Sequence, residues 1–597
     1  MTARTIITHL RRAVLATAAA GTLLAGCGGA GEPAGGDSVV TASSSAGAGA
    51  SLAAFGGSGA SAYGHYLAAL HAQRGNHLAT AAKHMARALE RDPGSPLLRR
   101  RAFLLRASVG DLEAATKLAE GLREQGGDKG VAALLNVVRA VRAGDWEVAR
   151  TRVDALPSHG LSALVKPLVS AWLKVETGEL DAGLAKLDEL DGIQGLGVLR
   201  HVHTALMRDV AGDTEAARQA YADASSAANK LTVRLAWLVG NFHARQDDSA
   251  RAREVYRAVL QSNADSETVQ LLLRRLDERS EPPSAEVATV RHGIAEALFN
   301  VAGLLSREQA TDLAMVYTQF ALHLRPQYEA GRVLLGEILQ SQGNTRAAID
   351  TYRAVDPSSP LHFVAQLRVA AELTALGDYA EAESLLRELA ERHPDTYAPL
   401  YRLGNALREQ EKFAEAADAY ARARERVGEP KRRHWTLLYF HGIALERTDR
   451  WSEAETRFSD ALELYPRQPY VMNYLAYSWV EQETKLERAL EMLNTAVEQR
   501  PEDGYIVDSL GWAHYRLGNH AKAVEHLERA VELRPGDPTI NDHLGDAYWH
   551  VGREREARYQ WRRALELGPR DGEADAIRDK LENGLNAAAA EASPNNG

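Results

Sequence analysis

From residue 62 onward apolar residues recur three and four places apart in runs of ten to fifteen, and Gly, Pro or Asp punctuate the runs. That spacing puts the apolar positions on one face of an α-helix. No stretch alternates with period two over a useful length, so strands are not expected. Self-comparison sharpens the pattern. Pro466, Pro501, Pro535 and Pro569 are separated by 35, 34 and 34 residues. Ala461, Ala496, Ala530 and Ala564 keep those separations, as do Ala454, Ala489, Ala523 and Ala557. Gly511 and Gly545 are 34 apart, and Gly442 stands two units before Gly511 with one residue inserted.

Each unit reads as a helical hairpin. Gly442, Gly511 and Gly545 lie inside a first helix, where Gly costs about 1 kcal/mol against Ala. Close approach of a neighbouring helix accounts for that cost, and the small Ala454, Ala489, Ala523 and Ala557 sit on the partner helix. Gly518 and Gly552 close the first helix, and each Pro ends the second. One hairpin cannot bury its apolar face alone, but a stack can. The motif DSLGW (508–512) could suggest a nucleophile. It lacks the first of a nucleophile elbow's two flanking glycines, Val507 standing there, and it sits within a helix, so Leu510-Gly511 is read as packing.

A 34-residue unit with Leu-Gly early, Ala-x-x-x-aromatic or Leu later, Ala again and then Pro resembles the tetratricopeptide repeat. The resemblance implies an all-α superhelical solenoid of hairpins. About 14 repeats are expected over 62–578, eight clear and six degenerate. The segment ERSEPPSAEV (278–287) is expected to part a degenerate array, 62–280, from a clear one, 284–578. Residues 579–597 read as a flexible tail.

The N-terminus has its own logic. Arg4, Arg11 and Arg12 precede the short apolar run Ala13 to Leu24. Leu24-Ala25-Gly26-Cys27 resembles a bacterial lipobox, which implies a signal peptide over 1–26 and an acylated Cys27 as mature N-terminus. Cys27 is the single cysteine of the 597 residues. Gly28 in place of an inner-membrane retention Asp suggests the outer membrane, facing the periplasm. Residues 28–61, rich in Gly, Ala and Ser, read as a tether with an end-to-end distance of about 30 Å.

Composition and charge then narrow the function. The formal net charge of −10 argues against nucleic acid. No metalloprotease His-Glu pair, phosphate-binding glycine loop or dinucleotide fingerprint occurs. No catalytic residue, metal or cofactor is therefore assigned. His543, Asp546 and His550 share one helix but are read as a polar groove-facing set rather than ligands. In tetratricopeptide arrays the first helices line a concave surface. There this chain carries Tyr401, Arg402, Asn405, Tyr439, Tyr474, Tyr505, Asp508, Trp512, Tyr515, Asp542, Asp546 and Trp549. Aromatics with a few fixed polar groups suit protein contact. Six of the nine Trp residues fall within 435–561, which favours the C-terminal array.

YVMNYLAYSW, GYIVDSLGWAHYRLG and PTINDHLGDAYWHVGR resemble proteobacterial tetratricopeptide-repeat outer-membrane lipoproteins. One type in that group is an adaptor of a periplasmic carboxyl-terminal processing protease and presents cell-wall hydrolases to it. The resemblance implies a lipid-anchored scaffold that catalyses no reaction. The alternative is an assembly factor for an outer-membrane secretin, pilus or polysaccharide-export complex.

Overall fold

The computed structural model describes residues 61–585, apart from 125–129, 192–195, 279–280 and 571. Cys27, the signal segment, nearly all of the tether and residues 586–597 lie outside the described residues. What is described is all helix and turn, with no strand. Fourteen helical hairpins follow one another from Ala62–Arg74 with Leu78–Arg91 to Pro538–His550 with Glu554–Glu566. The helices Glu267–Glu278 and Glu573–Asn583 stand without a hairpin partner. Helix starts carry the expected chemistry. Ser95, Asp213, Thr232, Asp248, Thr289 and Asp537 each accept a first-turn amide on their side chains.

Every turn from first to second helix contains a residue in the left-handed region. Eight are glycines: Gly110, Gly144, Gly178, Gly212, Gly343, Gly377, Gly518 and Gly552. The other six are Asn76, Asp247, Gln309, Glu411, Asp449 and Glu483, with φ from 53° to 62°. The tight reversal imposes that conformation whatever residue occupies it.

Inside the hairpins a second rule appears. A first-helix glycine faces a large side chain sixteen residues later: Gly240–Tyr256, Gly336–Tyr352, Gly404–Tyr420, Gly442–Phe458, Gly511–Leu527 and Gly545–Trp561. A Cβ on Gly442, Gly511 or Gly545 would stand 2.6, 2.7 or 2.5 Å from that partner. The glycine thus makes room for a ring or a Leu rather than for bare backbone. Ala454, Ala523 and Ala557 are fully buried four residues before those partners.

The chain forms two compact units that meet within the helix Tyr379–Arg392, at Leu385/Leu386. In the first, the chain turns back after Glu278 and inserts the hairpin Val290–Arg307 with Thr311–Leu324. The segment 281–289 is that crossover. Helix Val290–Arg307 packs on the first helices Ser162–Glu176 and Gly197–Val210, while Thr311–Leu324 packs on Pro96–Ser108 and Val131–Ala143. The indole of Trp172 lies over Gly293, Gln319 donates to the Ser108 carbonyl, and Arg142 donates to the Leu324 carbonyl. At the centre Arg234 grips Glu296 through two hydrogen bonds of 3.1 and 2.6 Å, and the Tyr328 hydroxyl donates to the same carboxylate at 2.6 Å. Burial works against the charged carboxyl of Glu296, but Arg234 and Tyr328 outweigh it and hold its pKa below the ordinary value.

The second unit holds five hairpins, from Ala398–Glu409 with Phe413–Val427 onward, and ends in Glu573–Asn583. Its first helix Ala398–Glu409 packs on Trp435–Glu446, and Gly504–Arg516 packs on both Pro469–Glu481 and Pro538–His550, whereas its second helices make no comparable contact. That asymmetry sets the first helices on the inner curve.

Candidate functional site

The first helices of the second unit bring the twelve sequence-derived groove residues onto one series of elements, but not into one state. Tyr439, Asp508 and Asp546 are buried, and the other nine are half-buried. Tyr401 packs near Tyr397 and Tyr420, whose hydroxyl donates to Asn405 at 2.7 Å. Arg402 stands beside them, half-buried. Tyr439 is enclosed by Trp435, Phe458 and Tyr474. It is core between repeats, which corrects its expected place on an open face. Tyr474 keeps an edge at the surface and donates its hydroxyl to Glu446 at 3.1 Å. Tyr505 lies under the guanidinium of Arg534 at 4.8 Å.

The next three residues form a connected cluster. Trp512 stacks on Tyr515 at 4.6 Å and on His543 of the following first helix at 4.0 Å. Its Nε1 donates to Glu481 of the preceding first helix at 2.5 Å. One indole therefore ties three successive repeats. His543 Nδ1 stands 3.0 and 3.1 Å from the two Asp508 oxygens. Burial alone would lower the pKa of His543. The Asp508 charge and hydrogen bond outweigh it, and the net shift is upward. Protonation of His543 is thereby favoured, and its Nδ1 faces a buried carboxylate.

The far end differs. The helix Glu573–Asn583 covers it and includes residues 579–583, expected in the tail. Lys580 donates to Asp542 at 2.9 and 3.0 Å and to Asp546 at 2.8 Å. Asp546 also accepts from Trp561 Nε1 at 2.9 Å. Burial, then the Asp542 charge, push its pKa up to about 6 against the pull of Lys580. Trp549, half-buried, packs against Gly584, Trp561 and Arg558. Asp542, Asp546 and Trp549 are thus held by the chain's own last helix, not offered to a partner. His550 does not join Asp546 but stacks on His520 at 4.4 Å.

Tyr401, Arg402, Asn405, Tyr474, Tyr505, Trp512 and Tyr515 remain as the half-exposed series. Sequence reasoning missed Glu481 and the pairing of His543 with Asp508. Their separations are 31 residues from Glu481 to Trp512 and 35 from Asp508 to His543. Each is close to one repeat, which was the available signal.

A tetratricopeptide-repeat family model matches residues 208–267, 370–430 and 482–538. The chain is 27% identical over 196 residues to the TPR repeat-containing protein PA4667 of Pseudomonas aeruginosa. That stretch is 33% of this chain and 32% of the relative, so only about a third of the relative's length is spanned. Among solved structures, a tetratricopeptide repeat protein from Parabacteroides merdae is 15% identical with a TM-score of 0.35, covering 43% of this chain and 98% of its own. The APC/C hetero-tetramer Cut9-Hcn1 is 14% identical with a TM-score of 0.36, covering 87% and 95%. The hairpins and the matched segments together make the fold an array of tetratricopeptide-type repeats. Its architecture is that of a protein-interaction scaffold.

Proposed function

We propose that the chain is a lipid-anchored scaffold at the outer membrane, facing the periplasm, whose second unit binds proteins along its inner face. It brings a carboxyl-terminal processing protease together with cell-wall hydrolase substrates. The observation that carries the binding face is the half-exposed series from Tyr401 to Tyr515 on consecutive first helices. Aromatic side chains held by fixed polar partners are the usual anchors of such contacts. Among the described residues of this unit, no helix is laid along that series. The lipobox at Leu24–Cys27 supports the anchor, and the resemblance of residues 470–553 supports the choice of partners.

Affinity capture with the delipidated protein from periplasmic extract, read by mass spectrometry, tests the reading. A soluble protease and hydrolases are expected. Replacing Trp512 by Ala should weaken capture by about tenfold. Recovery of an outer-membrane channel instead would replace the protease reading with assembly of an export complex. Cys27→Ser should release the protein from membranes, and retention after high-salt washing would end the lipoprotein reading.

A further inference from the structure

Where the ends of the inserted hairpin meet the first unit's array there is a cavity of about 470 Å³. That volume falls within the range of small-molecule sites, roughly 300–1,000 Å³. Arg142, Trp146, Glu176, Arg291, His292 and Arg325 line it, drawn from several helices. Arg325 is balanced. It approaches the Glu286 carboxylate at 3.9 Å, and Glu286 shares Arg234 with Glu296. Arg142 is not, for it donates only to the Leu324 carbonyl, at 3.4 Å. The Nε of Arg291 and the Nδ1 of His292 are shielded from solvent without a hydrogen-bond partner. The one carboxylate in the lining is Glu176, which is exposed.

The backbone adds to the same sign. The cavity receives the first turn of the 18-residue helix Val290–Arg307, and that turn carries no acidic residue. A helix start contributes roughly half a positive charge. The opposite end of the paired helix lies alongside, but its last carbonyl is the one that Arg142 bonds. The surrounding histidines register the field. His292 is lowered by burial and then by Arg325 and Arg291, against a smaller opposing pull from Glu286, and His323 by burial and then by Arg142 and Arg139. Two guanidinium charges and a helix start therefore face a single exposed carboxylate.

We infer that this cavity is an anion site for a small phosphate-bearing molecule, held by Arg291, Arg142, Arg325 and the first turn of Val290–Arg307. A phosphate group carries about −1.5 to −2 charges at neutral pH, close to the excess that the lining leaves open. Its tetrahedral oxygens suit donors converging from separate elements better than a flat carboxylate does. Trp146 and Val290 supply an apolar wall for the rest of the ligand. The site joins the inserted hairpin to the array, so occupancy braces that seam.

Isothermal titration of the full chain with inorganic phosphate, pyrophosphate and acetate tests the site. Saturable binding of phosphate and pyrophosphate, in competition with each other, is expected, and none of acetate. Arg291→Glu should weaken pyrophosphate binding by about tenfold or more with an unchanged helical spectrum, and Arg291→Lys should fall between. If Arg291→Glu does not fold, Arg291→Gln is read in its place and should lose binding likewise. No saturable signal up to about 10 mM, equal affinity for acetate, or unchanged binding in a folded Arg291 variant overturns the assignment.

Discussion

Gly545→Ala is a change of one methyl group whose outcome turns on the ring beside it. The added Cβ would stand 2.5 Å from both Cδ1 and Nε1 of Trp561. Trp561 is fully buried, so its indole has nowhere to retreat. Overpacking of this kind costs about 1–3 kcal/mol. Displacing the indole also strains its 2.9 Å bond to Asp546, and a hydrogen bond to a charged group is worth about 1.5–3 kcal/mol. Against these stands a gain of about 1 kcal/mol from replacing Gly within a helix. A net loss of about 1.5–5 kcal/mol follows. Hydrogen exchange of the amides in Glu554–Glu566 reads it locally, which suits a repeat array that need not unfold as one unit. The decisive comparison is the same change in a Trp561→Ala background. With the ring gone only the helical gain remains, so Gly545→Ala should now stabilise by about 1 kcal/mol. Equal destabilisation in both backgrounds, or none in the first, would refute the ring-into-glycine account.

Three further outcomes are expected. Glu296→Ala leaves Arg234 buried beside a lost partner and should destabilise the first unit by about 3–5 kcal/mol in chemical denaturation. Glu411→Gly should stabilise by up to about 1 kcal/mol in the same assay, because φ there is +60° and glycine adopts it without strain. The shares of Asp546 and His543 in the second unit's stability should fall as pH rises from 4 to 8, because both groups hold their proton more tightly folded than unfolded. Melts read each share as the difference between the chain and its Asp546→Asn or Asp508→Asn variant. His441, His514, His526 and His550, lowered first by burial, act the other way in the total. Asp546 contributes fully below its ordinary 3.8 and loses that contribution through about 6; His543 loses its own above 6.5. Asp508→Asn should change the profile only in its upper part and Asp546→Asn only in its lower part, and a difference of opposite sign for either variant would show that its group does not titrate as described.

Much of the fold is legible because a stacked repeat writes its packing into the chain at a fixed interval. Gly442, Gly511 and Gly545 announce where a large side chain must lie, and Gly518 and Gly552 announce the turn. The same turn at Asn76, Asp247, Gln309 and Glu411 is silent, since those residues take a left-handed conformation that their identity does not advertise. The inserted hairpin was hidden for a different reason. Its contacts join residues 182 and 211 places apart, and no period reports them. A clue was present in VRHGIAEALFNVAGLLSR, twelve of whose eighteen residues are buried. A helix apolar on nearly every side is a helix enclosed by others. For the docking face, spacing located the first helices but not the order of occupancy along them. Lys580 and Gly584 come from the last helix, which belongs to no repeat and so leaves no trace in the period.

Those two self-contacts decide which first-helix faces the chain covers by itself. In the first unit, first helices from Pro96–Ser108 to Gly197–Val210 are covered by Val290–Leu324, and Arg234, Glu296 and Tyr328 satisfy one another beneath it. A partner entering there would have to expose that buried ion pair, and removing either side of such a pair costs several kcal/mol. In the second unit the corresponding face ends its chain of polar contacts at Glu481, Trp512 and His543, with Tyr515 and Trp512 half-exposed. Nothing buried need be broken to cover them. The same hairpin unit therefore yields a face spent on stability in one unit and a face left half-exposed in the other, and the difference lies in the two segments that depart from the repeat.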